Sequence, residues 1–126
     1  MTCRRLKILI VEDNIFIALD LEAQLEELGC ETIGIAVTSD AAIEAARRTK
    51  PDLAFIDLQL AGASRGQDVA TVLRVEMNVP SVILSGSVHS VTAEERATIR
   101  PLAMLSKPVL PHELRSVVER CGCEGG

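Results

Sequence analysis

The sequence predicts an α/β protein built on a parallel β-sheet with helices on both faces. Three observations carry this. Short apolar runs alternate with longer segments of helical periodicity along the whole chain. The runs are continuous rather than alternating in polarity, the pattern of strands buried on both faces. Cap and turn residues punctuate the boundaries.

Taken in order, Lys7–Val11 (KILIV) is the first strand. Asp13 and Asn14 can cap the helix after it, in which Ile17, Leu21, Leu25 and Leu28 keep helical spacing until Gly29 stops it. Thr32–Ala36 reads as the second strand, Thr38-Ser39-Asp40 as a cap cluster and Ala41–Thr49 as the second helix. Leu53–Asp57 (LAFID) is the third strand, followed by a glycine-containing loop, Leu58–Gly66, and a helix over Gln67–Glu76. Pro80 precedes the fourth strand, Ser81–Ser85, and Thr92 with Glu95 forms a capping box for a short helix. Met104–Ser106 is a minimal fifth strand, and Pro111 opens the last helix, to about Arg120.

The chain of 126 residues is the size of one domain; 48% hydrophobic content supports a core, aliphatic because Phe16 and Phe55 are its only aromatic residues. No secretory signal is expected from the start Met-Thr-Cys-Arg-Arg, and no apolar stretch approaches the roughly 18–20 residues that span a bilayer. The expected location is therefore the cytoplasm, without membrane attachment. A net charge of −5 argues against nucleic-acid binding, which calls for a basic patch or stripe. Neither a phosphate-binding loop of the Walker type nor a GxGxxG pattern supports nucleotide binding.

In an open parallel sheet the ligand crevice lies outside the carboxyl ends of the strands. Glu12 and Asp13 end the first strand, Asp57 the third, Ser85 the fourth, and Lys107 follows the fifth. Taken singly, Asp13 reads as a cap, Asp57 as a turn residue, Ser85 as a loop hydroxyl and Lys107 as a surface charge. Their coincidence at one edge points to a site. Like charges about 4 Å apart repel by about 4 kcal/mol at an effective dielectric of about 20, so three clustered carboxylates need a cation or a proton. Mg²⁺ suits them, being a hard ion bound through carboxylates, water and phosphate oxygens. A carboxylate beside such an ion can attack phosphorus, Lys107 can meet phosphate oxygens as a point charge, and Ser85 can donate a hydroxyl.

An acidic pair after the first strand, Asp57 at the third, Ser85 at the fourth and Lys107-Pro108 after the fifth resemble the receiver domain of bacterial two-component response regulators, over roughly Lys7 to Arg120. The resemblance implies a doubly wound, flavodoxin-like five-stranded sheet of order 2-1-3-4-5 with five helices. It implies one receiver domain over residues 1–126, with a core of about 6–120 and a loose tail at 122–126. It implies that Asp57 accepts a phosphoryl group from a histidine kinase or phosphotransfer protein. Mg²⁺ would be held by Glu12, Asp13, Asp57 and the backbone carbonyl of Gln59. Lys107 would face the phosphoryl group and not the metal, Ser85 would turn toward that group, and Gln59 and Ser87 would flank the water that ends the phosphorylated state. The bond before Pro108 is often cis in the family. With no room for an output domain, the expected type is a stand-alone receiver that signals by contact with a downstream protein or serves as a phosphate relay or sink.

Two positions depart from the family pattern. Met104 stands where a switch aromatic is usual, and the loop after Asp57 lacks the common proline and is about one residue longer. Neither removes a chemical group from the pocket, but Met104 changes how a signal would leave; a graded response through Val91, Met104, Val109 and Leu110 is expected. Two rivals are weighed. An aspartate-nucleophile phosphatase needs a second aspartate two residues on as general acid, and that residue is Gln59, so no outside substrate is expected. A receiver-like interaction module that is never phosphorylated would not need the full set of pocket residues. His89 and His112 read as solvated. Cys3, Cys30, Cys121 and Cys123 fall at the edge opposite the site and read as buried or idle thiols, since C-x-C is not the common spacing of structural zinc.

Overall fold

The computed structural model describes residues 5–60, 65–86 and 91–122. Ten elements alternate: β1 (Lys7–Val11), α1 (Ile15–Glu27), β2 (Glu31–Ala36), α2 (Ser39–Arg48), β3 (Leu53–Asp57), α3 (Gly66–Met77), β4 (Ser81–Ser85), α4 (Ala93–Ile99), β5 (Ala103–Ser106) and α5 (Pro111–Gly122). The strands pair in parallel in the order β2-β1-β3-β4-β5.

The period of two along each strand splits the core into two layers. Ile8 and Ile10 of β1, Leu53 and Phe55 of β3, and Val82 and Leu84 of β4 pack under α1 and α5, against Ala18, Leu21, Leu25, Leu114 and Val117. Leu9, Val11, Ala54, Ile56 and Ile83 face the other way, against Ala42 and Ala46 of α2, Val69, Ala70 and Leu73 of α3, and Ile99 of α4. The central strand β3 is buried along its whole length. Phe55 is fully buried and Phe16 is 80% exposed, so the core is aliphatic except for one ring.

Local chemistry sets the helix ends. Asn14, rather than Asp13, caps α1: its Oδ1 accepts the N–H groups of Phe16 (3.0 Å) and Ile17 (3.3 Å). Thr38 caps α2 by accepting from Ala41 N–H. The capping box of α4 forms in both directions, Thr92 N–H to Glu95 Oε1 and Glu95 N–H to Thr92 Oγ1, each 3.0 Å. Gly29 turns the chain out of α1 at φ +87°, a conformation that costs glycine nothing. Edge strands and helix ends differ from the sequence reading by one or two residues: β2 and β5 each begin one residue earlier, α2 begins two earlier and α5 runs on to Gly122. Gly122 is therefore helical rather than part of a tail, and residues 123–126 lie outside the described residues.

Candidate functional site

The strand ladders run past the strand ends and pin the site from beneath. Glu12 N–H donates to Ala36 O (2.9 Å), Leu58 N–H to Leu84 O (3.2 Å) and Lys107 N–H to Ser85 O (3.0 Å). Residues just beyond β1, β3 and β5 are thereby held by the same kind of backbone hydrogen bond as the strands. Asp57 stands in register with Leu84, and Ser85 with Ser106.

The sheet brings Glu12, Asp13 and Asp57 together, with one carboxylate oxygen from each lying within 4.8 Å of the others. Glu12 is fully buried and Asp57 nearly so at 4% exposure, whereas Asp13 is exposed. Every oxygen of the two buried carboxylates has a donor close by. Glu12 Oε1 lies 2.9 Å from Lys107 Nζ, and Glu12 Oε2 accepts from Asn14 N–H at 3.1 Å. Asp57 Oδ2 lies 3.0 Å from Lys107 Nζ, and Asp57 Oδ1 accepts from Gln59 N–H at 3.3 Å. The Lys107 ammonium lies as close to Glu12 as to Asp57 and so bridges the two buried carboxylates. The Lys107-Pro108 bond is cis.

Burial pushes the Glu12 carboxyl above its ordinary value, against the opposing pull of Lys107 and Asn14 N–H. Burial alone would lower Lys107, yet its hydrogen bonds to Glu12 and Asp57 raise it, so it stays charged. Three carboxylates and one ammonium leave a formal charge of two minus. That fits a divalent cation with oxygen ligands, and Glu12, Asp13 and Asp57 are the residues that would hold it.

Gln59 is exposed and makes an antiparallel bridge to Arg65, closing the loop after Asp57. Gly66 N–H then donates to Leu58 O at 3.1 Å. A Cβ at Gly66 would collide with the Asp57 carbonyl oxygen and come within 2.9 Å of Leu58 Cα, so only glycine fits there. Ser85 is half-buried at the end of β4, and Met104 is 42% exposed on β5. Ser87 and His89 lie outside the described residues, as do Cys3 and Cys123; Cys30 is buried and Cys121 half-buried, and neither is in a disulfide.

Two features escaped the sequence reading. Asn14 was legible as a cap, but its backbone N–H on Glu12 has no side-chain signature. A groove of about 490 Å³ opens beside the pocket between α1 and the segment Lys107–Val109, with Phe16 on its rim; Phe16 falls off the apolar stripe of its helix, which was the available signal. Among the described residues no helix is long and apolar enough to cross a membrane.

These features define a doubly wound α/β domain with an acidic, lysine-bridged pocket at the carboxyl edge of its sheet. The chain belongs to the response regulator receiver domain family, whose model matches residues 8–119. It is 35% identical over 115 residues to the phyllosphere-induced regulator PhyR of Methylorubrum extorquens, covering 90% of this chain and 42% of that protein. It is 30% identical over 113 residues to the transcriptional regulatory protein PdtaR of Mycobacterium tuberculosis, covering 90% of this chain and 55% of that one. The chain thus spans about half the length of these curated relatives. Among solved structures, the signal receiver domain of a modulated diguanylate cyclase from Desulfovibrio desulfuricans G20 superimposes with a TM-score of 0.85 at 30% identity, covering 94% of both chains. The receiver domain of PhyR from Erythrobacter litoralis gives 0.83 at 27% identity, covering 93% of this chain and 89% of that one.

Proposed function

We propose that the chain is a phosphoacceptor in two-component signalling. Asp57 attacks the phosphorus of a phosphohistidine donor, carried by a histidine kinase or a phosphotransfer protein. The new bond joins an Asp57 oxygen to phosphorus as the nitrogen–phosphorus bond of the donor breaks, and the departing imidazole takes up a proton. The observation that carries this reading is the Lys107 ammonium 3.0 Å from Asp57 Oδ2, where it can follow the charge that moves onto the phosphoryl oxygens.

Mg²⁺ fits the charge and donor set of Glu12, Asp13 and Asp57, with the Gln59 carbonyl as the further ligand expected from the family; bound there, it would neutralise phosphoryl oxygens. Glu12 and Asp13 hold the negative side of the pocket, Asn14 N–H and Lys107 fix the Glu12 carboxylate, and the ladder bond from Lys107 N–H to Ser85 O keeps β4 and β5 in step. Ser85 is the hydroxyl expected to turn toward the phosphoryl group, and Gln59 with Ser87 to govern its lifetime. Gln59 in place of a general acid supports the absence of an outside substrate. Output passes to a downstream protein in the cytoplasm by contact that depends on phosphorylation.

The test is chemical. Incubation with Mg²⁺ and acetyl phosphate, or with a phosphohistidine donor, should add one phosphoryl mass that is lost at high pH. Asp57→Asn should take up none. Equal labelling of Asp57→Asn, or no labelling of the native chain by any donor, would leave the unphosphorylated interaction module as the better reading.

A further inference from the structure

Helix α4 has seven residues, too few to be stable by itself, and Ile99 is the residue it buries. Two arginines, Arg65 just before α3 and Arg74 within it, hold it at opposite ends. At the far end Arg74 Nε donates to Ile99 O (2.9 Å), while its terminal nitrogens reach Arg100 O (2.8 Å) and Asn78 Oδ1 (3.3 Å). Arg100 closes α4 at φ +47°, a strained conformation for a residue with a Cβ, and the guanidinium on its carbonyl helps to keep it there. At the near end Arg65 donates to Glu95 Oε2 at 3.0 Å, and it also lies 3.5 Å from Asp68 Oδ1. Glu95 thus has one oxygen in the capping box of α4 and the other on Arg65, at the start of α3.

The two attachments differ in what stands behind them. Arg74 leaves the middle of the last turns of α3, away from the pocket. Arg65 directly precedes Gly66, whose backbone lies against the Asp57 carbonyl, and it bridges Gln59, whose N–H donates to Asp57 Oδ1. We propose that Arg65 is a coupling residue, which transmits the state of the Asp57 carboxylate through Gln59 to Glu95 and so to the first turn of α4. This rests on the reading of Asp57 as the phosphoacceptor. Phosphorylation replaces a charged carboxylate by a neutral acyl group, whichever oxygen forms the bond to phosphorus. The negative charge moves onto the phosphoryl oxygens, so Gln59 N–H meets a neutral acyl oxygen or a phosphoryl oxygen in a new position, and its hydrogen bond changes geometry. The Gln59–Arg65 bridge shifts with it. The Arg65–Glu95 pair is an exposed one, with side chains 51% and 22% accessible, and such pairs are weak enough for a small displacement to break them. Arg74 keeps its hold, so α4 pivots about its carboxyl end.

Amide NMR of the full chain with Mg²⁺ and beryllofluoride, a phosphoryl mimic, tests this. In the native protein, shifts at Leu58 and Gln59 should be accompanied by shifts over 92–96 that exceed those at Ile99 and Arg100. In Arg65→Ala the shifts at Leu58 and Gln59 should remain and those over 92–96 should be lost; Arg65→Lys should restore part of them. Glu95→Gln keeps an acceptor for the capping box but drops the ion pair, and should match Arg65→Ala. Undiminished shifts over 92–96 in Arg65→Ala or in Glu95→Gln would overturn the coupling, as would equal movement of both ends of α4 in the native protein. An absence of shifts at Leu58 and Gln59 in the native protein would instead overturn the phosphoacceptor reading, and the coupling with it.

Discussion

Lys107 reaches across the carboxyl edge of the sheet to Glu12, its Nζ 2.9 Å from Oε1 of a carboxylate that is fully buried. The same ammonium lies 3.0 Å from Asp57 Oδ2, so one positive charge holds the ends of β1 and β3 together. Without it, two buried carboxylates would face each other with backbone N–H groups as their remaining donors.

Lys107→Met should therefore destabilise the protein more than a surface change. Removing one partner from a buried ion pair costs roughly 3–5 kcal/mol. The Lys107 side chain is 20% exposed, which places this case toward the lower end. Mg²⁺ should raise the unfolding midpoint of the variant more than that of the native chain, since the ion replaces the lost charge. Urea denaturation with and without Mg²⁺ measures both effects; equal stability of the two proteins in metal-free buffer would contradict the account of repulsion.

Gly66→Ala should damage the site through the backbone. A Cβ there meets the Asp57 carbonyl, so either α3 retreats or the end of β3 moves. Forced overpacking of this kind costs about 1–3 kcal/mol. Denaturation should show that loss, and labelling of Asp57 by acetyl phosphate should slow, because the displaced backbone carries the acceptor. A variant that labels at the native rate would show that α3 yields and Asp57 does not.

Met104 stands opposite Ile83 in the β4–β5 ladder and is 42% exposed, two residues before Ser106, the partner of Ser85. An unbranched side chain adapts to a changed neighbour with little strain. Beryllofluoride should therefore produce graded shifts from Ser85 through Met104 to Val109 and Leu110. Met104→Tyr should leave stability within about 0.5 kcal/mol, as expected of an exposed position, yet make the two states more distinct. Shifts that end at Ser85 would show that β5 carries no output.

The sequence made the site legible because topology does the collecting. Continuous apolar runs identify Leu53–Asp57 and Ser81–Ser85 to the residue, and parallel strands place Glu12, Asp13, Asp57 and Lys107 at one edge. Edge strands β2 and β5 are half-buried, so their pattern is weaker and their starts were misplaced by one residue. The reach of Lys107 to Glu12 depends on a rotamer that no spacing encodes. Arg65 and Arg74 were invisible for another reason: an arginine on a helix reads as a solvated charge. Arg65 finds Glu95 thirty residues away, and the partners of Arg74 include backbone carbonyls, which carry no residue signature.

The last prediction concerns acid. The Glu95 carboxyl lies below its ordinary value of 4.5, chiefly because it accepts the Thr92 N–H and also because Arg65 is hydrogen-bonded to it, with slight burial acting the other way. A carboxylate with a depressed value in the folded state binds its proton more readily in the unfolded chain. Its contribution to stability is therefore present above pH 4.5 and is lost as the pH falls through the folded value. Titration of Glu95 followed by carboxyl NMR should show a midpoint below 4.5 in the native protein. In Arg65→Ala the midpoint should move upward but stay depressed, because the Thr92 N–H remains. Amide exchange over 92–96 should quicken in the same acidic window, and Glu95→Gln, which has no proton to bind there, should remove that step while other carboxylates still titrate. A native midpoint at or above 4.5 would mean that Glu95 does not hold the start of α4 in solution.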